Sequence, residues 1–213
     1  MKKIFTLGLS ILAFANSFAQ HNNVEMKGLM AKEMKSFAHK MAVGNISPNT
    51  LNYDLQYQRM DVSLDPAVYN ISGSVTSHFK PTQSMSSIYF DLANTLSVFS
   101  VQFHGQNLPF QQLTTKEIKI DFPTALPANT LDSLTINYGG APATTYNSFS
   151  TTLQGGIPLL ATLNEPYGAQ DWFPTKQSLN DKIERFDIKV TTPPQYNVAS
   201  NGKLMSETIL PNG

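Results

Sequence analysis

Residues 71–79 read ISGSVTSHF, and apolar and polar side chains alternate along this stretch. Ile71, Val75 and Phe79 share one face of an extended chain, and Thr76 and His78 share the other. A period of two over this length predicts a β-strand with one buried face. The stretch therefore indicates a sheet that covers a hydrophobic core on one side.

Similar patterns recur along the chain and predict an all-β fold. KEIKIDF places Ile118, Ile120 and Phe122 inside, and RFDIKVT places Phe186, Ile188 and Val190 inside. Further strands are predicted in YDLQYQRMDVSL, with a bulge where the apolar phase slips, and in SIYFDL, LSVFSVQF and SLTINY. Eight or nine short strands without a long helix among them indicate an antiparallel β-sandwich or saddle-shaped double sheet over residues 51–213.

Two glycine-containing stretches predict turns. Asn201-Gly202 within YNVASNGKLMSE is a strong hairpin signal. Gly139 and Gly140 follow a predicted strand and precede Pro142, which also favours a turn. The chain then ends in LPNG, which is turn chemistry without a following strand, so we expect the β-domain to be truncated there.

The N-terminal 50 residues differ from the β-rich remainder. Lys2 and Lys3 precede an apolar run and small residues before Gln20, so residues 1–19 are predicted to be a secretory signal peptide. Residues 20–50 are predicted to be a helical leader, because VEMKGLMAKEMKSFAHKMAV has the spacing of a short amphipathic helix. This helix would pack on its own protein or form an ordered leader; binding at a membrane surface is the alternative.

Composition excludes several classes of partner and site. Cleavage after residue 19 leaves 13 Lys and Arg against 15 Asp and Glu, a balance that argues against nucleic acid or an anionic membrane as a partner. The chain has no cysteine, so it has neither disulfides nor a thiolate metal site. The four histidines lack the i, i+4 spacing of a zinc helix, and HExxH is absent. No metal or cofactor site is expected in this chain.

Residues 165–182, EPYGAQDWFPTKQSLNDK, form the chemically richest stretch. They include the single tryptophan, two prolines and five charged residues between two predicted strands. A long connection without a clear helix or strand period is more often functional than idle.

The ordered succession of these segments over residues 51–210 resembles the N-terminal β-domain of zinc aminopeptidases related to aminopeptidase N and leukotriene-A hydrolase. The resemblance implies that Glu165, just before the "WFP" motif, binds the free ammonium of a peptide substrate. It further implies that Trp172, Phe173 and Pro174 pack to fix this loop, and that Asp181-Lys182 matches the family's "DK". Gln170 stands where the family commonly has arginine.

The family's GxMEN loop and HExxH zinc helix have no counterpart in these 213 residues. The resemblance therefore implies a non-catalytic, exported domain, periplasmic or secreted, whose partners are a downstream catalytic domain and the substrate N-terminus. Zinc-assisted hydrolysis of the N-terminal peptide bond would belong to the full-length parent, and the chain alone should be inactive. The alternatives are a secreted β-sandwich module for glycan or protein, with Tyr167, Trp172 and Phe173 as its contact surface, and a stand-alone remnant with an interaction role.

Overall fold

The computed structural model describes residues 27, 30, 31, 34, 37, 38, 41 and 46–211. The chain divides into two compact units, residues 1–43 and 44–213, which are treated separately here. The predicted signal peptide, residues 1–19, lies outside the described residues.

The described residues of the first unit are helical, in agreement with the amphipathic pattern. The apolar side chains of Met30, Met34, Phe37 and Met41 are exposed. No helix among the described residues is long and apolar enough to cross a membrane.

The second unit is built from strands and two short 3-10 helices. The 3-10 helices span Pro48–Thr50 and Ala169–Asp171. The strands are β1 (Tyr53–Leu64), β2 (Ile71–Pro81), β3 (Met85–Asp91), β4 (Leu96–Phe103), β5 (Gln106–Asn107), β6 (Phe110–Leu113), β7 (Glu117–Leu126), β8 (Asp132–Gly140), β9 (Phe149–Gln154), β10 (Ile157–Thr162) and β11 (Arg185–Thr191).

These strands form three sheets, and the fold is all-β as predicted. Six strands lie in the order β11, β1, β2, β8, β4, β5; three lie in the order β3, β7, β6; and β9 pairs with β10. The pairs are antiparallel except β1 with β11, which run parallel. A parallel pair needs a long connection between its strands, and residues 65–184 separate β1 from β11.

One hydrophobic core lies between the six-stranded and the three-stranded sheets. Phe122 of β7 lies 6.1 Å from Phe79 of β2 and 5.1 Å from Phe103 of β4, measured between ring centroids. Tyr53 of β1 contacts Phe90 of β3 at 5.7 Å. The two sheets therefore pack face to face through aromatic side chains, which is the arrangement of a sandwich.

The predicted bulge in β1 is confirmed, and it has a specific effect. The register with β2 shifts between Leu55 and Tyr57, so the inward positions change from odd to even numbers. Leu55 is buried before the bulge, whereas Gln58 and Met60 are buried after it. The bulge therefore turns a glutamine amide into the core.

Three local predictions are wrong. Gly139 and Gly140 do not form a turn: they pair with both β2 and β4 at the end of β8, where a Cβ on Gly139 would meet the Ile71 carbonyl oxygen at 2.8 Å. Residues 196–207 form no hairpin, because no residue of the stretch is in a strand. An isolated two-stranded hairpin is marginally stable in water.

The third error concerns Ile188, which is 43 % exposed. Its register opposite Met60 places it on the core side of the sheet, as predicted. However, β11 is the last strand on that side of the six-stranded sheet, so no further strand covers it. Phe186 and Val190 are partly buried against the core.

Candidate substrate-binding segment

Residues 163–184 connect β10 to β11, and their middle is buried rather than solvated. All eight residues from Gln170 to Gln177 are buried. Buried backbone needs hydrogen-bond partners, so this segment must be bonded to its surroundings.

The three-stranded sheet supplies the first set of partners. Thr175 and Asp91 exchange two backbone hydrogen bonds, of 2.7 and 3.1 Å, across an antiparallel bridge. The Ala93 N–H donates to the Gln170 carbonyl at 2.9 Å. The Gln177 N–H donates to the Asp91 carboxylate at 2.9 Å. The segment therefore extends the end of β3.

The six-stranded sheet supplies the second set through the inward amide of Gln58. Its Nε2 donates to the Pro174 carbonyl at 3.3 Å and to Ser77 Oγ at 2.9 Å. Its Oε1 accepts a hydrogen bond of 3.2 Å from Thr175 Oγ1. The bulge in β1 is thus the reason that the sheet can bind this segment.

An ion pair between Lys176 and Asp181 lies near the end of the buried part of the segment. Nζ of Lys176 donates to Oδ2 of Asp181 and to the Tyr53 carbonyl, and lies 4.6 Å from the centroid of the Tyr53 ring. The same carboxylate oxygen accepts from the Leu55 N–H at 3.3 Å. Sequence reasoning singled out Asp181 with Lys182, but the structure pairs Asp181 with Lys176 and leaves Lys182 exposed.

Trp172 and Phe173 pack in the core, as the resemblance implied. Trp172 is 6 % exposed and lies 4.8 Å from Phe173 and 5.9 Å from Phe149, ring to ring. Its Nε1 donates to Oδ1 of Asn164 at 2.6 Å. The alternative in which Trp172 and Phe173 form an exposed glycan-contact surface is therefore wrong, because neither ring faces solvent.

Glu165 is exposed and follows directly after Asn164. Its peptide bond to Pro166 is cis. The Asn164 carbonyl accepts from the Gly168 N–H at 2.5 Å, and the Leu163 N–H donates to the Ser148 carbonyl at 2.9 Å. Hydrogen bonds thus fix the backbone on both sides of Glu165, which presents an exposed carboxylate from a fixed position.

Gly168 is required for this turn because the chain passes close to Ser148. A Cβ at position 168 would lie 1.6 Å from Ser148 Oγ and 2.9 Å from the Asn164 carbonyl oxygen. Such distances are far below van der Waals contact. The glycine therefore permits the close approach that closes the turn behind Glu165.

Asp91 is a carboxyl group of this region with a strongly raised pKa. Burial raises its pKa from 3.8 to about 6, whereas the Gln177 N–H that donates to it and Lys176 favour the charged form. The repulsion of Glu117 adds to the effect of burial. The hydrogen bond to Gln177 N–H links this carboxyl directly to the segment.

Comparison with known proteins relates this architecture to a family. The family model of the peptidase M1 N-terminal domain matches residues 49–213. The chain belongs to this family. No curated protein sequence matches it.

Solved structures support the fold of this M1 N-terminal domain. A point mutant of an M1 zinc metallopeptidase from Deinococcus radiodurans is 23 % identical with a TM-score of 0.67, and the same mutant bound to a Tyr-Ser-Ala substrate is 22 % identical with a TM-score of 0.65. The unmutated enzyme is 23 % identical with a TM-score of 0.66. Each match covers 78 % of this chain and 39 % of the other.

The matched structures are described as zinc metallopeptidases, so we asked whether the residues of this chain could hold a zinc ion. Within residues 46–211 and the described helical positions, no three His, Asp or Glu side chains lie close enough to share a metal ion. The described part of this M1 N-terminal domain therefore does not fit a catalytic zinc site.

Sequence reasoning missed three residues of the segment's support. Gln58, Asp91 and Lys176 are polar residues buried where the segment meets the two sheets. The inward position of Gln58 could have been predicted from the sequence, because the slip of the apolar phase in β1 turns this residue toward the core. Asp91 had none, since its partner Gln177 lies 86 residues away in the chain. Lys176 has one nearby partner, Asp181, but its contact with the Tyr53 carbonyl spans 123 residues.

Proposed function

We propose that this chain is the N-terminal domain of an exported zinc aminopeptidase and that Glu165 binds the free ammonium of the peptide substrate. Hydrolysis of the N-terminal peptide bond takes place in a catalytic domain elsewhere in the parent protein. The proposed location, periplasmic or extracellular, rests on the signal-peptide pattern of residues 1–19.

The observation that carries the proposal is the membership of residues 49–213 in the M1 N-terminal family, with Glu165 exposed on a fixed backbone. A carboxylate opposite an ammonium forms a charge-assisted hydrogen bond. Because backbone hydrogen bonds from Leu163 to Ser148 and from Gly168 to Asn164 hold the chain around Glu165, little backbone entropy would be lost on binding. Such a contact would place the substrate's scissile bond at a fixed distance from its N-terminus, and it would favour substrates whose N-terminus is free.

Zinc enters the proposal as a component of the parent. Zinc would activate the attacking water there. The described residues lack a set of three donors, so the role of this chain is to bind and orient the substrate amine.

The test is Glu165→Ala in the full-length parent, with aminoacyl-anilide substrates that carry a free or an acetylated N-terminus. For free substrates kcat/KM should fall by about 10- to 150-fold, because a charged hydrogen bond contributes roughly 1.5–3 kcal/mol. Acetylated substrates have no ammonium, so their poor turnover should change little. Zinc content should remain that of the wild type.

Glu184→Ala is the matched control, because Glu184 is an exposed carboxylate in the same connection. It should leave both rates unchanged. An equal fall for free and acetylated substrates in Glu165→Ala would contradict ammonium binding and indicate a distorted segment instead.

A further inference from the structure

Asp171 is a buried residue that holds a neighbouring loop with two hydrogen bonds. Its exposed fraction is 0 %. Oδ2 of its side chain accepts a hydrogen bond of 2.8 Å from the Tyr146 N–H, and its main-chain carbonyl accepts one of 2.8 Å from the Ala143 N–H. Tyr146 and Ala143 both belong to residues 141–148, which connect β8 to β9. We call this connection the β8–β9 loop.

The β8–β9 loop is partly buried but has no regular backbone pairing. None of its residues is in a helix or a strand, whereas Ala143, Tyr146 and Ser148 are buried. Buried backbone groups outside sheets must find individual partners, because an unpaired group costs free energy. We therefore expect the loop to shift when Asp171 loses its side-chain acceptor.

The last residue of the loop contacts the backbone that carries Glu165. The Ser148 carbonyl accepts from the Leu163 N–H at 2.9 Å, two residues before Glu165. Ser148 also lies against Gly168, where a Cβ would meet its Oγ at 1.6 Å. The Asp171 N–H donates to the Gly168 carbonyl at 3.1 Å. The contacts therefore form a closed path from Asp171 through the loop to Leu163 and back through Gly168, and Glu165 lies on this path.

We propose that Asp171 is a positioning residue for the substrate amine: it holds the β8–β9 loop so that Ser148 fixes the backbone from which Glu165 projects. This inference rests on the proposed function and deepens it, because Asp171 acts only through Glu165. Positioning matters for the rate, since a displacement of about 1 Å in a binding group can lower it by about 100-fold.

Kinetics of Asp171→Ala and Asp171→Asn in the full-length parent test this proposal, with aminoacyl-anilides that carry a free or an acetylated N-terminus. Asp171→Ala removes the acceptor for the Tyr146 N–H, so kcat/KM for free substrates should fall by about tenfold, as expected for a displacement of less than about 1 Å. Acetylated substrates have no ammonium for Glu165 and should keep their rate. Asp171→Asn retains an oxygen that can accept from the Tyr146 N–H, so its rates should stay within about twofold of the wild type.

A double variant separates positioning from a loss of stability. With Glu165→Ala already present, Asp171→Ala should cause no further loss for free substrates, because the residue through which it acts is gone. Glu117→Ala is the matched control, since Glu117 is also a buried carboxyl group but accepts from the side chains of Ser47 and Thr115. It should lose stability without changing the ratio of free to acetylated rates. All rates are measured well below the temperature at which each variant unfolds.

Three results would overturn the proposal. An unchanged rate for free substrates in Asp171→Ala would show that the loop does not position Glu165. An equal fall for free and acetylated substrates, or a loss that persists in the Glu165→Ala background, would show a purely structural role. A fall in Asp171→Asn as large as that in Asp171→Ala would exclude the hydrogen bond to Tyr146 as the cause.

The same measurements distinguish a failure of this inference from a failure of the proposed function. If Glu165→Ala lowers the rate for free substrates and Asp171→Ala does not, the proposed function stands and the role of Asp171 is refuted. If Glu165→Ala leaves that rate unchanged, both are refuted, because Asp171 then has no binding group to position. Should Asp171→Ala fail to fold, Asp171→Ser takes its place with the same expectations, since its hydroxyl is too short to keep the 2.8 Å bond to the Tyr146 N–H.

Discussion

The indole Nε1 of Trp172 donates a 2.6 Å hydrogen bond to Oδ1 of Asn164, the residue that precedes Glu165. A side chain in the core therefore holds the side chain of the residue beside an exposed carboxylate. Trp172→Phe removes the donor and keeps an aromatic ring, whereas Asn164→Ala removes the acceptor. Each should lower the free energy of unfolding, and the two effects should couple by about 0.5–1.5 kcal/mol. Urea unfolding of both single variants and the double variant measures this coupling, and strict additivity would contradict it.

A central strand and an edge strand of the six-stranded sheet should respond differently to a charge placed on their core side. Val75 is fully buried in the central strand β2, so Val75→Asp should prevent folding, since an unpaired charge in a core costs several kcal/mol against a total of ~5–15. Ile188→Asp at the exposed edge should cost less than about 1 kcal/mol. Thermal unfolding followed by circular dichroism compares them, with Thr76→Asp on the outer side of β2 as a control. Equal losses at positions 75 and 188 would show that the edge is covered.

The Lys176–Asp181 pair should be asymmetric in its contribution to stability. The side chain of Lys176 is 4 % exposed and that of Asp181 is 18 % exposed. Asp181→Asn leaves a buried ammonium and should cost about 3 kcal/mol, whereas Lys176→Met leaves a carboxylate that still reaches water and should cost about 2 kcal/mol. The double variant should lose less than the sum. Urea unfolding measures the loss of stability in each variant, and a larger loss in Lys176→Met than in Asp181→Asn would contradict the prediction.

The raised pKa of Asp91 predicts a pH dependence with a definite sign. Since its pKa is about 6 in the folded protein and 3.8 is its ordinary value, the folded state binds more protons between these values. The contribution of Asp91 to stability therefore increases as the pH falls through 6. Between pH 7 and pH 5 the gain should be about 1.4 kcal/mol.

Asp91→Asn isolates this effect, because its amide oxygen can still accept from the Gln177 N–H but carries no charge. The unfolding free energy of the wild type should rise by about 1.4 kcal/mol relative to that of the variant as the pH is lowered from 7 to 5. A difference that stays constant over this range would mean that Asp91 does not titrate there.

The sequence predicts the sandwich well wherever alternation and burial coincide. ISGSVTSHF forms β2 with Val75 and Phe79 inside, because a strand with one buried face tolerates no slip in register. The signal misleads where a turn lacks strands to join: Asn201-Gly202 favours a hairpin, yet the residues on both sides of it form no strands. Conversely, β9–β10 was missed although Gly155-Gly156, both at positive φ, connects its strands.

Some features of the candidate site could be predicted from the sequence and others could not. The family resemblance singled out Glu165 and implied the packing of Trp172, and the structure buries Trp172 accordingly. The burial of Lys176 depends on Tyr53, and that of Asp91 depends on Gln177. No local pattern encodes contacts between residues so far apart in the chain.

The segment after Glu165 joins the two sheets through contacts that are distant in sequence: 116 residues between Gln58 and Pro174, and 126 between Leu55 and Asp181. Closing such long loops costs entropy before any contact compensates for it, and folding slows accordingly. During synthesis, β1 is made long before Pro174 and Asp181, so the side chain of Gln58 stays hydrated until the later segment is complete. We therefore expect the segment that presents Glu165 to be among the last parts of the domain to fold, which would leave the join between the sheets exposed until then.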